Sequence, residues 1–305
     1  MPYSAGSDRQ VTYETVGIKE DVSDIIGLIS PYDTPCYSQF RKTDAKQTTV
    51  EWQEDALRPP AANAKVEGAE TVIGDVGLTT MLSNYTQIFE ESARTSGTVE
   101  AVELYGRASE MDYQVMKKAR EVRRDIEFAF VGSQQVKAAG TASVARQLAG
   151  VQAQIAAANT FDNTGTLRAF TEALVLSAHQ AAYNAGGDPN QLMVTPAHSI
   201  VVANFAAASG RNRDITDKTR IVNKVDLYVS PFGELSVVTN RWLHAENALL
   251  LETDRWFIPV LRPMSSTPLA KTGDNEKRMI NAELTLGHEN RLCSALIDDL
   301  TVTGA

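Results

Sequence analysis

Between Thr98 and Ser133 apolar residues recur every three or four positions, at Ala108, Met111, Val115, Ala119, Val122, Ile126 and Ala129. That period places them on one stripe of an α-helix. At 1.5 Å per residue such a helix runs roughly 50 Å, long for a globular domain. Its other face carries Lys117, Lys118, Arg120, Arg123, Arg124 and Asp125, and Gly106 marks either a kink or the true start. The chain is therefore expected to pack along one side of a long rod.

What precedes the rod has little to bury. Residues 1 to about 45 are polar and interrupted at Pro2, Pro31 and Pro35, with one short amphipathic stretch at Val22, Ile25, Ile26 and Ile29. From Gln47 to Asp55 the sequence alternates, with Thr48, Val50 and Trp52 on one side, which predicts a strand. A second strand is predicted from Thr79 to about Glu90. Between them, Pro59-Pro60, Gly68, Gly74 and Gly77 make a long polar tip. Two strands so joined are marginal in isolation, so this hairpin is expected to rest on something else.

After the rod, a helix is predicted from about Gly165 to Ala185, closed by Gly186 to Pro189. A short buried strand follows at Gln191 to Val194, and Pro196 opens another helix. The last third reads as strands: Lys224 to Ser230, Leu235 to Thr239, Ala248 to Leu251, Trp256 to Leu261, Ile280 to Leu286 and Ala295 to Val302. The order predicts an α+β protein with a compact α/β portion and a β-rich closing segment.

Composition narrows the function classes. No apolar run approaches the roughly 18 to 20 residues of a membrane helix, and the first residues lack the pattern of a secretory signal, so a cytoplasmic, non-membrane protein is expected. A net charge of -9 and a pI near 5.1 argue against tight sequence-independent binding to nucleic acid, though not against a loose container around it. Cys36 and Cys293 lie far apart without metal-ligand spacing and are expected to be reduced structural thiols.

Catalytic patterns are missing. His179, His198, His244 and His288 are dispersed, which predicts structural or surface roles and no metal or cofactor. Dinucleotide and Walker glycine patterns and the nucleophile elbow are absent, and in LAKTGD, Leu269 to Asp274, the glycine follows the lysine. The carboxylates Glu51, Glu54 and Asp55, or Glu90 and Glu91, read as solvating groups on strands rather than an acid and base. The basic stripe on the rod has three readings: a solvated face paired with Glu121, a contact with a neighbouring copy's acidic hairpin, or a contact with DNA. The RNRD stretch at Arg211 to Asp214 reads as a solvated loop or one lining a symmetry axis.

Five local motifs occur in a telling order: SPYDTP at Ser30 to Pro35, VEWQED at Val50 to Asp55, RRDIE at Arg123 to Glu127, NRW at Asn240 to Trp242 and LAKTGD. With the sequence of elements, they make the chain resemble the major capsid proteins of tailed phages with the HK97-like fold, in the SU10-like branch. The resemblance implies an N-terminal arm over 1–46 and an extended β-hairpin loop over 47–97. A peripheral domain with the spine helix covers 98–164, an axial domain 165–263, and return strands of both domains 264–305. It implies a non-enzymatic protein that self-assembles into pentamers and hexamers, forming an icosahedral shell around double-stranded DNA, touched without sequence specificity on the inner face. A bacterial encapsulin-type shell and a soluble α/β hydrolase are the alternatives.

Neighbouring capsomers, a separate scaffolding protein, a portal and a decoration protein are the implied partners. No lysine and asparagine pair stands out for a covalent link, which favours non-covalent assembly. The candidate contacts between copies are Glu51, Trp52, Glu54 and Asp55 on the hairpin, Lys117, Arg120, Arg123 and Arg124 on the spine helix, and Arg211 and Arg213 in the loop. An arm and a hairpin that cannot bury enough surface alone are suited to lie on neighbouring copies.

Overall fold

The computed structural model describes residues 31, 33–68, 70, 74, 77–104, 106–208 and 227–302, with the backbone alone at 206–208. The amphipathic stretch at Val22 to Ile29 and the RNRD loop lie outside these residues.

The chain enters the body through a short helix, α1 (Pro35–Gln39), and a strand, β1 (Arg41–Asp44). Pro35 at the first helical turn needs no intrahelical N–H partner, which suits it to start α1. Cys36 and Phe40 are fully buried, and Phe40 stacks on Trp256 with ring centroids 5.7 Å apart. β1 then pairs in parallel with β10 (Trp256–Pro268). Within the stretch expected as an arm, Cys36 and Phe40 therefore already fill the core of the body.

The hairpin consists of β2 (Thr49–Glu54) and β3 (Thr80–Tyr85), antiparallel from Thr49 opposite Tyr85 to Glu54 opposite Thr80. Only Thr86 separates β3 from β4 (Gln87–Ser96), which pairs along its whole length with β11 (Asn275–Leu284). One extended run thus changes partners at Thr86, and the hairpin is the outward continuation of β4, the edge strand that lies beside β11. β1, β10, β11 and β4 form one sheet in that order, and β12 (Gly287–His288) also pairs with β10.

The rod is shorter than its apolar period predicts. A single turn, α2 (Gly97–Ala101), is followed by a break in which Gly106 adopts φ of +73°. The main helix, α3, spans Glu110–Glu127 and is extended by one π-helical turn at Phe128–Gly132. Ser109 caps α3, its Oγ accepting from the Asp112 amide at 3.2 Å while donating to Glu100 at 2.6 Å. The expected stripe holds from Met111 onward: Met111 is buried, and Val122, Ile126 and Ala129 belong to one core with Val115 and Ala119 packed against it.

A second sheet orders β5 (Thr160–Phe161), β13 (Ala295–Ile297), β9 (Ala248–Leu251), β6 (Gln191–Val194), β8 (Gly233–Thr239) and β7 (Leu227–Ser230). Its central strands are buried on both faces, so they read as unbroken apolar runs rather than alternating ones. Met193, Leu249, Leu251 and Leu296 join α3 and the first sheet in one core. Leu192, Val194, Leu250 and Ile297 face the other way, onto a second core with α5 (Glu172–Asn184) and α6 (Pro196–Ala208). The short α4 (Val151–Gln154) packs on the π turn that ends the spine.

Four other boundaries differ from expectation. α5 begins at Glu172 rather than Gly165, because the preceding residues are drawn to the end of β13: the Asp299 carboxylate accepts from the Asn163 amide at 2.6 Å and the Gly165 amide at 2.9 Å. β10 runs on to Pro268 and β11 starts at Asn275, since each supplies the other's backbone partners. β13 stops at Ile297, before the left-handed Asp299.

Candidate assembly interface

Three of the sequence motifs meet in one place. Glu127, last residue of α3 and of RRDIE, is fully buried beneath α1. Its Oε1 accepts from the Cys36 amide at 3.0 Å and the Asn240 side-chain amide at 2.6 Å, and its Oε2 from the Tyr37 amide at 2.9 Å. The carboxylate thus satisfies N–H groups of α1 that have no partner within so short a helix. Asn240 and Trp242 belong to NRW; the Trp242 amide donates to Asn240 Oδ1 at 2.9 Å, and its indole Nε1 donates to the Asp33 carbonyl at 2.8 Å. Arg124 lies over the Trp242 ring, 5.5 Å from its centroid. Asp33 and Pro35 come from SPYDTP. Burial pushes the Glu127 carboxyl above its ordinary range, against the pull of these N–H donors, and burial with the nearby Glu127 raises the Cys36 thiol well above its own.

The hairpin root is a second junction. Trp52 Nε1 donates to the His288 carbonyl at 2.8 Å, and its ring meets Phe257 edge-on. Glu54 accepts from the Arg291 backbone at 3.2 Å and from Arg291 Nε at 3.0 Å. Burial works against the Glu54 carboxylate, but these bonds outweigh it and hold it below the usual range. Buried Asn84 donates to the Leu286 carbonyl at 2.7 Å and accepts from the Ala149 amide at 2.8 Å. Behind it, buried Glu283 takes Thr86, Arg146 and Arg262. Two clefts of about 270 and 450 Å³ flank the root, with Trp52 lining both.

Beyond the root, the described residues of the tip meet little of the body. Leu57 is 98%, Val66 81% and Leu78 90% exposed. Of the contact candidates, Trp52 and Glu54 are half-buried and bonded within the subunit at the root, and Arg124 is half-buried at the α1 junction. Glu51 and Asp55 are exposed on the hairpin, Lys117 and Arg123 on α3, and Arg120 is half-buried. Arg211 and Arg213 lie outside the described residues. Lys118 pairs with Glu121 at 2.7 Å and with Glu91 at 3.1 Å, so that lysine serves the local face. Sequence reasoning missed Glu127, Asn240 and Glu283 as contact centres; the first two lay inside recognised motifs, but nothing local marked them as buried.

The histidines sit at unrelated places. His179 bonds Ser230, His198 bonds Thr195 and the Thr301 carbonyl, and His288 stacks on Trp256 with centroids 3.9 Å apart. Among the described residues, Glu246, Asp298 and Asp299 gather three carboxylates within metal-ligand spacing, but Asp299 is already committed to the loop amides of Asn163 and Gly165. No described helix is long and apolar enough to cross a membrane.

A spine helix backed by one sheet, a second sheet sharing its core and a hairpin projecting from the first sheet's edge strand define an HK97-like capsid fold. The capsid of cyanophage A-1(L) matches with a TM-score of 0.69 at 14% identity, over 93% of this chain and 97% of that one. The SrpI encapsulin of Synechococcus elongatus matches at 0.62 and 8%, over 97% of both chains. At such identities the likeness carries the fold. Residues 7–301 match the family model of the SU10 major capsid protein, so the chain belongs to that family and is a phage major capsid protein. The major capsid protein of Escherichia phage Phieco32 is 27% identical over an alignment of 336 positions, covering 94% of this chain and 96% of that protein.

Proposed function

We propose that copies of this chain assemble into pentamers and hexamers and then into a closed icosahedral shell, with the hairpin of each copy lying on a neighbour's spine helix. The observation that carries this reading is the exposure of Leu57, Val66 and Leu78 on the hairpin tip. Charge supports the pairing: Glu51 and Asp55 are exposed on the hairpin, and Lys117 and Arg123 on α3. Each contact need only be modest, because closure repeats it many times. In this reading α3 with the first sheet is the peripheral domain and the second sheet with α5 and α6 the axial one; Arg120, Arg211 and Arg213 remain candidate contacts.

The shell assembles in the host cytoplasm around a separate scaffolding protein and a portal, then encloses double-stranded DNA through contacts without sequence specificity; a decoration protein is a further possible partner class. Charge exchange tests the central contact. Asp55→Lys should abolish shell formation without unfolding the subunit, and Arg123→Glu in the same chain should restore it in part. Loss in both single variants with no recovery in the double would remove that pairing. Electron microscopy of the particles separates DNA-filled heads from a shell holding protein cargo.

A further inference from the structure

The junction beneath α1 has no part in the hairpin contact, yet it concentrates the polar groups buried at the end of the spine helix. We propose that Glu127 is a positioning residue for assembly: with Asn240 and Trp242 it clamps residues 33–37 to the spine helix and so fixes the anchor point of the N-terminal arm on the body. This rests on the shell reading, in which the arm reaches neighbouring copies.

Four observations converge. The clamp lies where the chain joins the body, since Trp242 Nε1 holds the Asp33 carbonyl at 2.8 Å and Pro35 opens α1 two residues later. It draws on distant parts of the chain, with Glu127 ending α3 and Asn240 following β8. The second sheet adds to the fastening: Cys36 Sγ lies 3.7 Å from Met193 Sδ, which also takes the Asn240 side-chain amide at 3.4 Å, and Gln191 Nε2 donates to Gln39 Oε1 at 2.8 Å. The clamp is also polar where an apolar contact could have served. A buried carboxylate accepting three N–H groups demands one orientation of α1, whereas an apolar plug tolerates several. A subunit that must deliver an arm to the same place in every copy needs that orientation.

Two variants test it. Glu127→Gln puts an amide donor where α1 presents N–H groups. Trp242→Phe removes the donor to Asp33 and leaves a smaller aromatic ring beneath Arg124. The readouts are chymotryptic cleavage at Tyr37 and Phe40 in isolated subunits, melting of the body, and closure and diameter of particles by electron microscopy. Cleavage should rise roughly tenfold in Glu127→Gln, as for one lost buried hydrogen bond. Near-ultraviolet circular dichroism of the body should be retained while particles become open or irregular. Wild-type cleavage rates in both variants would overturn the clamp. Faster cleavage with normally closed, uniform particles would overturn the positioning role and leave the shell reading intact. Wild-type subunits that never assemble would sink the shell reading and the anchor together. If Glu127→Gln does not fold, Trp242→Phe decides.

Discussion

At the residue scale, two buried ionisable groups respond to pH with opposite signs. Burial and then the charge of Arg255 push His288 down to about 3, so the unfolded chain takes up this proton far more readily. The stability it contributes is fully present above its ordinary value of 6.5 and is lost as pH falls through the window toward 3. Thermal melting between pH 7 and 4 should therefore fall more steeply for the wild type than for His288→Gln, and equal slopes would refute the assignment. Glu127 behaves the other way, because burial raises its folded value above the ordinary 4.5. Its contribution is fully present below that ordinary value and shrinks as pH rises through the folded one. Glu127→Gln should cost about 1 to 3 kcal/mol, the cost of an unsatisfied buried polar group. The gap to wild type should be larger at pH 4 than at pH 8 in urea titrations.

At the element scale, the spine helix shows what local sequence carries. Its stripe from Met111 to Ala129 was legible because burial and helical period coincide there. The break is legible in outline, since Gly106 lies in the periodic stretch, but the cap at Ser109 and its bond to Glu100 carry no local signal, and the period alone predicts a start 12 residues before Glu110. Ser109→Ala should cost about 1 kcal/mol in chemical denaturation, the usual loss for a serine cap, and Thr98→Ala, on the far side of the break, close to nothing. The root of the hairpin and the place of α1 were not legible. Trp52 finds its acceptor 236 residues away and Arg41 pairs with Phe257, and nothing in the local pattern announces pairings at such separation. For the same reason the intrasubunit partners of Glu54 and Arg124, namely Arg291 and the Trp242 ring, could not be read from the local sequence.

At the scale of the whole molecule, the division between what folds the subunit and what joins subunits can be cut with two deletions. Removing residues 1–30 leaves α1, Cys36 and Phe40 in place, so the body should melt as before while shells fail to close. Removing residues 1–40 also takes out the Phe40 ring stacked on Trp256 and the α1 groups held by Glu127. Emptying one large aromatic site alone costs about 3 to 5 kcal/mol, a large share of what holds such a domain together. The hairpin allows the cleaner cut. Glu54 and Thr80 are its last paired residues, so replacing 55–79 with an Asn-Gly turn closes β2 on β3 in the geometry that antiparallel strands favour. The removed tip includes Leu57, Val66 and Leu78, all largely exposed, so its loss takes little from either core. Melting temperature should stay within a degree or so of the wild type, as for changes away from buried features. Light scattering should then report small oligomers where the full chain gives shells. A shortened hairpin that still builds closed particles would move the contacts between copies to the arm and the axial domain; a large fall in melting temperature would mean that the tip packs on its own subunit after all.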